Sequence, residues 1–129
     1  MDWNIWKCGD PDSFQYLRVS KENPNLWEAV EMRGPYPGPN DLDPGKFGVV
    51  HTVIDLDDYS DDEIIDYIKS YGYDTVEYIE EQYGEIATQV IVECIFECLE
   101  DDFELTGSEK DCERYIKNIT GGSINERKN

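Results

Sequence analysis

The stretch Phe47-Gly48-Val49-Val50-His51-Thr52-Val53-Ile54, running at once into Asp55-Leu56-Asp57-Asp58-Tyr59-Ser60-Asp61-Asp62-Glu63, decides the fold class. The first run is apolar and β-branched, which reads as a strand buried on at least one face. The second closes in a capping box: the Ser60 hydroxyl can take an orphan backbone N–H while the Glu63 side chain reaches back. Ile64, Ile65 and Ile68 then recur at helical spacing, and Gly72 ends the helix. The chain before this junction reads as β, and the chain after it as α.

On the β side, Trp3-Asn4-Ile5-Trp6-Lys7-Cys8 and Phe14-Gln15-Tyr16-Leu17-Arg18-Val19 are short aromatic and β-branched runs. Gly9-Asp10-Pro11-Asp12 between them carries turn chemistry and implies a hairpin. Leu26-Trp27-Glu28-Ala29-Val30-Glu31-Met32 reads as a third strand or, because Leu, Glu, Ala and Met all favour one, as a short helix. From Arg33 to Gly45 the chain holds four of the six prolines and three glycines, which keeps it out of a sheet interior.

On the α side, Asp74-Thr75-Val76-Glu77 offers a second helix start, and apolar residues at 76, 79, 83, 87, 90, 94 and 98 carry one long helix to about Asp102. Its second half, Val90 to Leu99, is apolar almost all round, so it belongs at the centre of a core. A last helix begins at Ser108, turns Cys112, Tyr115, Ile116 and Ile119 inward and stops at Gly121-Gly122. The expected fold is α+β: an antiparallel sheet of three to four strands in the N-terminal half, packed on a long central helix and two shorter ones. Residues 1–122 are expected to form one acidic domain, with 123–129 as a flexible tail.

The 129 residues carry 11 Lys+Arg against 30 Asp+Glu, a formal net charge of −19. That balance excludes a basic nucleic-acid-binding face and docking on an anionic membrane. With 3 Trp, 9 Tyr and 4 Phe the chain has the material for a core, which argues against disorder. No apolar run is long enough to span a bilayer, and Met1-Asp2-Trp3-Asn4 lacks the basic-then-apolar pattern of a signal peptide, so a cytoplasmic protein is expected. Four cysteines, with Cys94 and Cys98 on one helical face, read as buried free thiols rather than as a disulfide scaffold.

Chemical motifs are missing. There is no GxSxG, HExxH, Walker loop or GxGxxG, and no CxxC or HxxxH spacing for zinc. The acidic run from Asp55 fails as an EF-hand, since position 6 is Ser60 instead of glycine and position 12 is Asp66. His51 is the only histidine and lies in a strand pattern, which suits a packed or surface residue better than a base. Neither cofactor nor metal is expected, and the protein is not expected to be an enzyme.

Charge is distributed in blocks. Residues 1–54 sum to −3, residues 55–104 to −17 and residues 105–129 to +1. Adaptation to high salt would spread acidity over the whole surface, whereas here it is local. Carboxylates four apart on a helix stand about 6 Å from one another, the order of the charge spacing along a nucleic-acid strand. The candidate partner-binding residues are therefore Asp55, Asp57, Asp58, Asp61, Asp62, Asp66, Glu77, Glu80, Glu81, Glu85, Glu97, Asp101 and Asp102. On a straight helix Glu77, Glu80, Glu81 and Glu85 centre about 150° from Glu93, Glu97 and Glu100, so either the helix breaks near Gly84 or there are two acidic patches. The expected partner is the basic groove of a nucleic-acid-binding protein or nuclease. The expected function is that of a nucleic-acid-mimicking inhibitor, of the size and charge seen in phage and mobile-element inhibitors of restriction or CRISPR nucleases. The alternative is an adaptor whose contact is the aromatic, Pro-rich segment, with Trp27, Tyr36 and residues 33–45.

Overall fold

A computed structural model of the chain describes residues 2–35, 45–99 and 103–121. Its strands are β1 (Lys7–Asp10), β2 (Gln15–Val19), β3 (Leu26–Arg33), β4 (Phe47–Asp55) and β5 (Phe103–Gly107). They pair antiparallel in chain order as one five-stranded sheet. Helices α1 (Asp61–Ser70), α2 (Val76–Tyr83) and α3 (Ala87–Cys98) lie between β4 and β5 in sequence, and α4 (Glu109–Ile119) comes after the last strand. The class is α+β, as the sequence implies.

The sheet is larger than the expected three to four strands, and the helices are arranged differently. Leu26–Arg33 is a strand, not a helix, because it lies between β2 and β4 and its backbone is paired on both sides. The fifth strand lies between the expected end of the long helix near Asp102 and the start of the last helix at Ser108, where the sequence pattern implies no strand. In β5, Phe103, Leu105 and Gly107 are partly covered while Glu104 and Thr106 face solvent, a period of two that a helix would not give.

The single helix expected to reach Asp102 is two helices. Gly84 takes φ +57° and ψ −117°, a conformation that side-chain-bearing residues rarely adopt, and it opens a short 3₁₀ turn, Gly84–Ile86, between α2 and α3. Helix α3 ends at Cys98, and Leu99 is already extended at ψ 150°. Three hydroxyl side chains start the other helices, with Ser60, Thr75 and Ser108 accepting from the backbone N–H of Glu63, Tyr78 and Asp111. Only at Ser60 is the box closed, by Glu63 Oε1 accepting from the Ser60 N–H at 2.8 Å. Each such cap stabilises its helix by about 1 kcal/mol.

Strand alternation divides the core between the two faces of the sheet. Leu17, Trp27, Ala29, Val50 and Ile54 share a cluster with Ile68 of α1, Ile79 of α2 and Val92, Ile95 and Phe96 of α3. Helices α1 and α2 pack on α3, which explains why its second half is apolar nearly all round. On the opposite face Tyr16, Val30, Met32 and Val49 meet Trp6 together with Cys112 and Ile116 of α4. That face also holds Arg18, whose guanidinium lies over the Trp6 ring at 4.4 Å and pairs with Glu28 at 2.7 Å. Helices α1 and α2 are thus the outer layer on one side, and this layer carries the acidic residues.

Candidate protein-binding surface

The acidic surface begins where β4 ends. Asp55 is half-buried and caps a 3₁₀ turn, Leu56–Asp58, through its Oδ1, which accepts from the Asp57 N–H at 3.0 Å. Asp57 in turn accepts from the Asn25 side chain at 2.9 Å, which anchors the turn to the β2–β3 connection. Asp57, Asp58, Asp61, Asp62 and Asp66 are exposed along this turn and α1. Glu77, Glu80, Glu81 and Glu85 are exposed along α2 and the turn after it. The stretch holds one base, Lys69.

Ion pairs among the described residues lie elsewhere, at Arg18–Glu28, Arg33–Glu31, His51–Glu28 and Arg114–Asp111. Acids at the first turn of α1 are favoured by the helix dipole, which accounts for Asp61, Asp62 and Glu63. Glu77 and Glu81 stand four apart on α2 as like charges, at a cost of a few tenths of a kcal/mol. Helix stability therefore does not explain this distribution, which keeps a negative field over the outer layer.

One expected site residue, Glu97, does not join this surface. Glu97 turns inward from α3 and is only half exposed, and Asp101 and Asp102 lie outside the described residues. The choice between a broken helix and two surface patches is settled by the break at Gly84. The second acidic group divides with it, since Glu93 and Glu97 face the sheet and Glu100 lies outside the described residues.

The inward carboxylates form a cluster that no local pattern in the sequence announces. Glu31 on β3 is 6% exposed, and Gln15 Nε2 donates to Glu31 at 3.2 Å and to Glu97 at 2.8 Å. Arg33 Nε donates to the other Glu31 oxygen at 3.0 Å, while its terminal nitrogen donates to the Phe96 carbonyl at 2.9 Å near the end of α3. Burial pushes the Glu31 carboxyl up to about 8, helped by its hydrogen bond to Glu97 and the charge there, against the lowering effect of Arg33. Glu93, bonded to Gln89 at 3.1 Å, is also raised, chiefly by burial. Gln15, Glu31, Glu93 and Glu97, with Asp10, Ser13 and Tyr71, line a cavity of about 290 Å³ between the sheet and α3. Glu31 accepts through one oxygen from Gln15 and through the other from Arg33, and these bonds offset part of the cost of burying its carboxyl between β3 and α3.

An aromatic cluster at the surface is also absent from the sequence-based expectations. Tyr71, Tyr73, Tyr78 and Tyr83 gather where α1 passes to α2, with Tyr73 at 6.0–6.5 Å from each of the other three rings. The Tyr73 and Tyr83 hydroxyls are 3.0 Å apart, and this bond raises Tyr73 to about 12. The abundance of tyrosine was the available signal, but single-residue spacing across a turn does not show that four rings meet. Trp27, by contrast, is no surface aromatic: it is 4% exposed and its indole N–H donates to the Pro24 carbonyl. Tyr36 and residues 36–44 of the Pro-rich segment lie outside the described residues.

Cys94 and Cys112 are buried free thiols, whereas Cys98 is exposed at the end of α3 and Cys8 is intermediate, so Cys94 and Cys98 do not act alike as core residues. Among the described residues no group of three or more His, Cys, Asp or Glu is placed to hold a metal ion. Among them also, no helix is long and apolar enough to cross a membrane. His51 is half-buried on β4, with Nε2 against Glu28 and its ring 6.5 Å from that of Trp6. Comparison with protein-family models, curated proteins and solved structures finds no match for this chain.

Proposed function

We propose that this chain is a non-enzymatic, acidic interaction protein that acts in the cytoplasm by occupying the basic groove of a nucleic-acid-binding protein. In that role it would inhibit a nuclease or similar enzyme by taking the place of DNA or RNA, as mobile-element inhibitors of restriction or CRISPR nucleases do. One observation carries the reading. Nine carboxylates, at 57, 58, 61, 62, 66, 77, 80, 81 and 85, are exposed on consecutive elements of one outer layer that holds a single lysine. Such a field steers a basic partner and complements a groove built for phosphates.

Charge reversal tests it. Lysine at Asp57, Asp58, Asp61 and Asp62 is expected to abolish partner binding while the circular-dichroism spectrum stays native. Because Asp61 and Asp62 also favour the start of α1, lysine at exposed Glu80 and Glu81 provides a second variant without that cost. Undiminished binding by both variants contradicts the proposal.

A further inference from the structure

The outer acidic layer is not uniformly polar. Between α1, the start of α2 and the first turns of α3 runs a groove of about 550 Å³. Ile64, Ile65, Val76 and Ile91 give it an apolar lining, to which Leu56 adds. Ile64, Ile65, Val76 and Leu56 are each only partly covered by the fold. Its rim is acidic, with Asp61 on the α1 side and Asp74 and Glu77 on the α2 side, while Lys69 is the one base in the lining. Exposed carboxylates of the same layer, Asp57, Asp58 and Asp62 among them, continue the charge beyond the rim.

Exposed carboxylates alone account for charge complementarity to a basic partner but not for an apolar trough among them, and a small neutral ligand would not account for the acidic rim. We propose that this groove takes an amphipathic basic helix of the partner, with its apolar face on Ile64, Ile65, Val76 and Ile91 and its lysines or arginines toward Asp61, Asp74 and Glu77. The inference rests on the reading of the acidic layer as a partner-binding surface and adds to it the class of element that is bound. An amphipathic helix laid in an apolar groove anchors through side chains one turn apart, and the charged rim sets its orientation. Affinity then comes from buried apolar surface as well as from charge, so rising salt weakens it less steeply than it weakens a purely electrostatic contact.

Two synthetic peptides test the proposal against the whole chain, a helical Leu/Lys amphipath and an oligolysine with the same number of lysines. At near-physiological salt the amphipath is expected to bind at least about tenfold more tightly, as a central apolar anchor would give. It should shift the methyl resonances of Ile64, Ile65 and Ile91, and Ile65→Gln should lose that advantage while leaving oligolysine binding unchanged. Because Ile65 is partly buried, the methyl shifts of the unsubstituted protein stand as the second readout. Equal binding of the two peptides, both lost on charge reversal, overturns the groove and leaves the acidic surface in place. Binding of the amphipath without shifts at those methyls also overturns the groove. Binding of oligolysine alone overturns the groove, whereas failure of both peptides to bind, or indifference to charge reversal, overturns the acidic-surface reading and the groove with it.

Discussion

Glu31 on β3 and Glu97 on α3 are held by one amide, with Gln15 Nε2 2.8 Å from Glu97 and 3.2 Å from Glu31. The pair joins the sheet to the helix at its back. Its charge is contained within the fold, unlike that of the carboxylates on α1 and α2. The protein therefore has two acidic populations with different physical roles.

The inner population gives a pH dependence of known sign. Glu31 is raised from 4.5 to about 8, so the folded protein retains a proton that the unfolded chain releases above its ordinary carboxylate range. The contribution is fully present below the unfolded value and is lost as pH rises through the folded one. Stability should fall across that window, by at most about 1.4 kcal/mol per pH unit from this group. Glu31→Gln should flatten the fall. Urea unfolding of both proteins at several pH values checks it, and parallel curves would contradict the assignment.

Helix α1 depends on its closed capping box. Ser60→Ala removes the acceptor for the Glu63 N–H and should cost about 1 kcal/mol in urea unfolding. A loss indistinguishable from zero would mean that the start of α1 is held by packing alone.

The break between α2 and α3 depends on Gly84. No neighbouring atom lies within 4 Å of a Cβ built there, so the cost of Gly84→Ala is that of the backbone conformation. It should destabilise by about 1–3 kcal/mol. A neutral or stabilising effect would show that α2 and α3 can join into the continuous helix implied by the apolar spacing.

The thiols should differ in reactivity. Cys98 is exposed, whereas burial pushes Cys94 up to about 12 and also raises Cys112. Alkylation of the native protein followed by mass spectrometry should label Cys98 well before Cys94 and Cys112. Equal labelling at low conversion would contradict the packing of α3.

The parts of the fold that local chemistry determines were legible in the sequence. The Ser60–Glu63 box and the final helix starting at Ser108 are set by neighbours three or four residues apart, and the strand from Phe47 by its apolar, β-branched run. The break at Gly84 was legible only as one of two options, because the apolar spacing runs through it. Strand β5 was hidden by the acids before it, which extended the helical pattern toward Asp102. Glu97 looked like a surface acid since nothing in its own segment shows that Gln15 and Glu31, far away in sequence, meet it. The four-tyrosine cluster and the groove beside Ile65 are likewise products of how α1 and α2 lie on α3.

Partner binding by the outer carboxylates is best measured by affinity capture from nuclease-treated bacterial lysate, with the native chain and the Asp57, Asp58, Asp61, Asp62 lysine variant side by side. The native chain should retain one nucleic-acid-binding protein that rising salt releases and that its own DNA or RNA displaces, and the variant should retain none of it. A partner held equally by both chains, and indifferent to nucleic acid, would contradict a role for the acidic layer as a stand-in for nucleic acid.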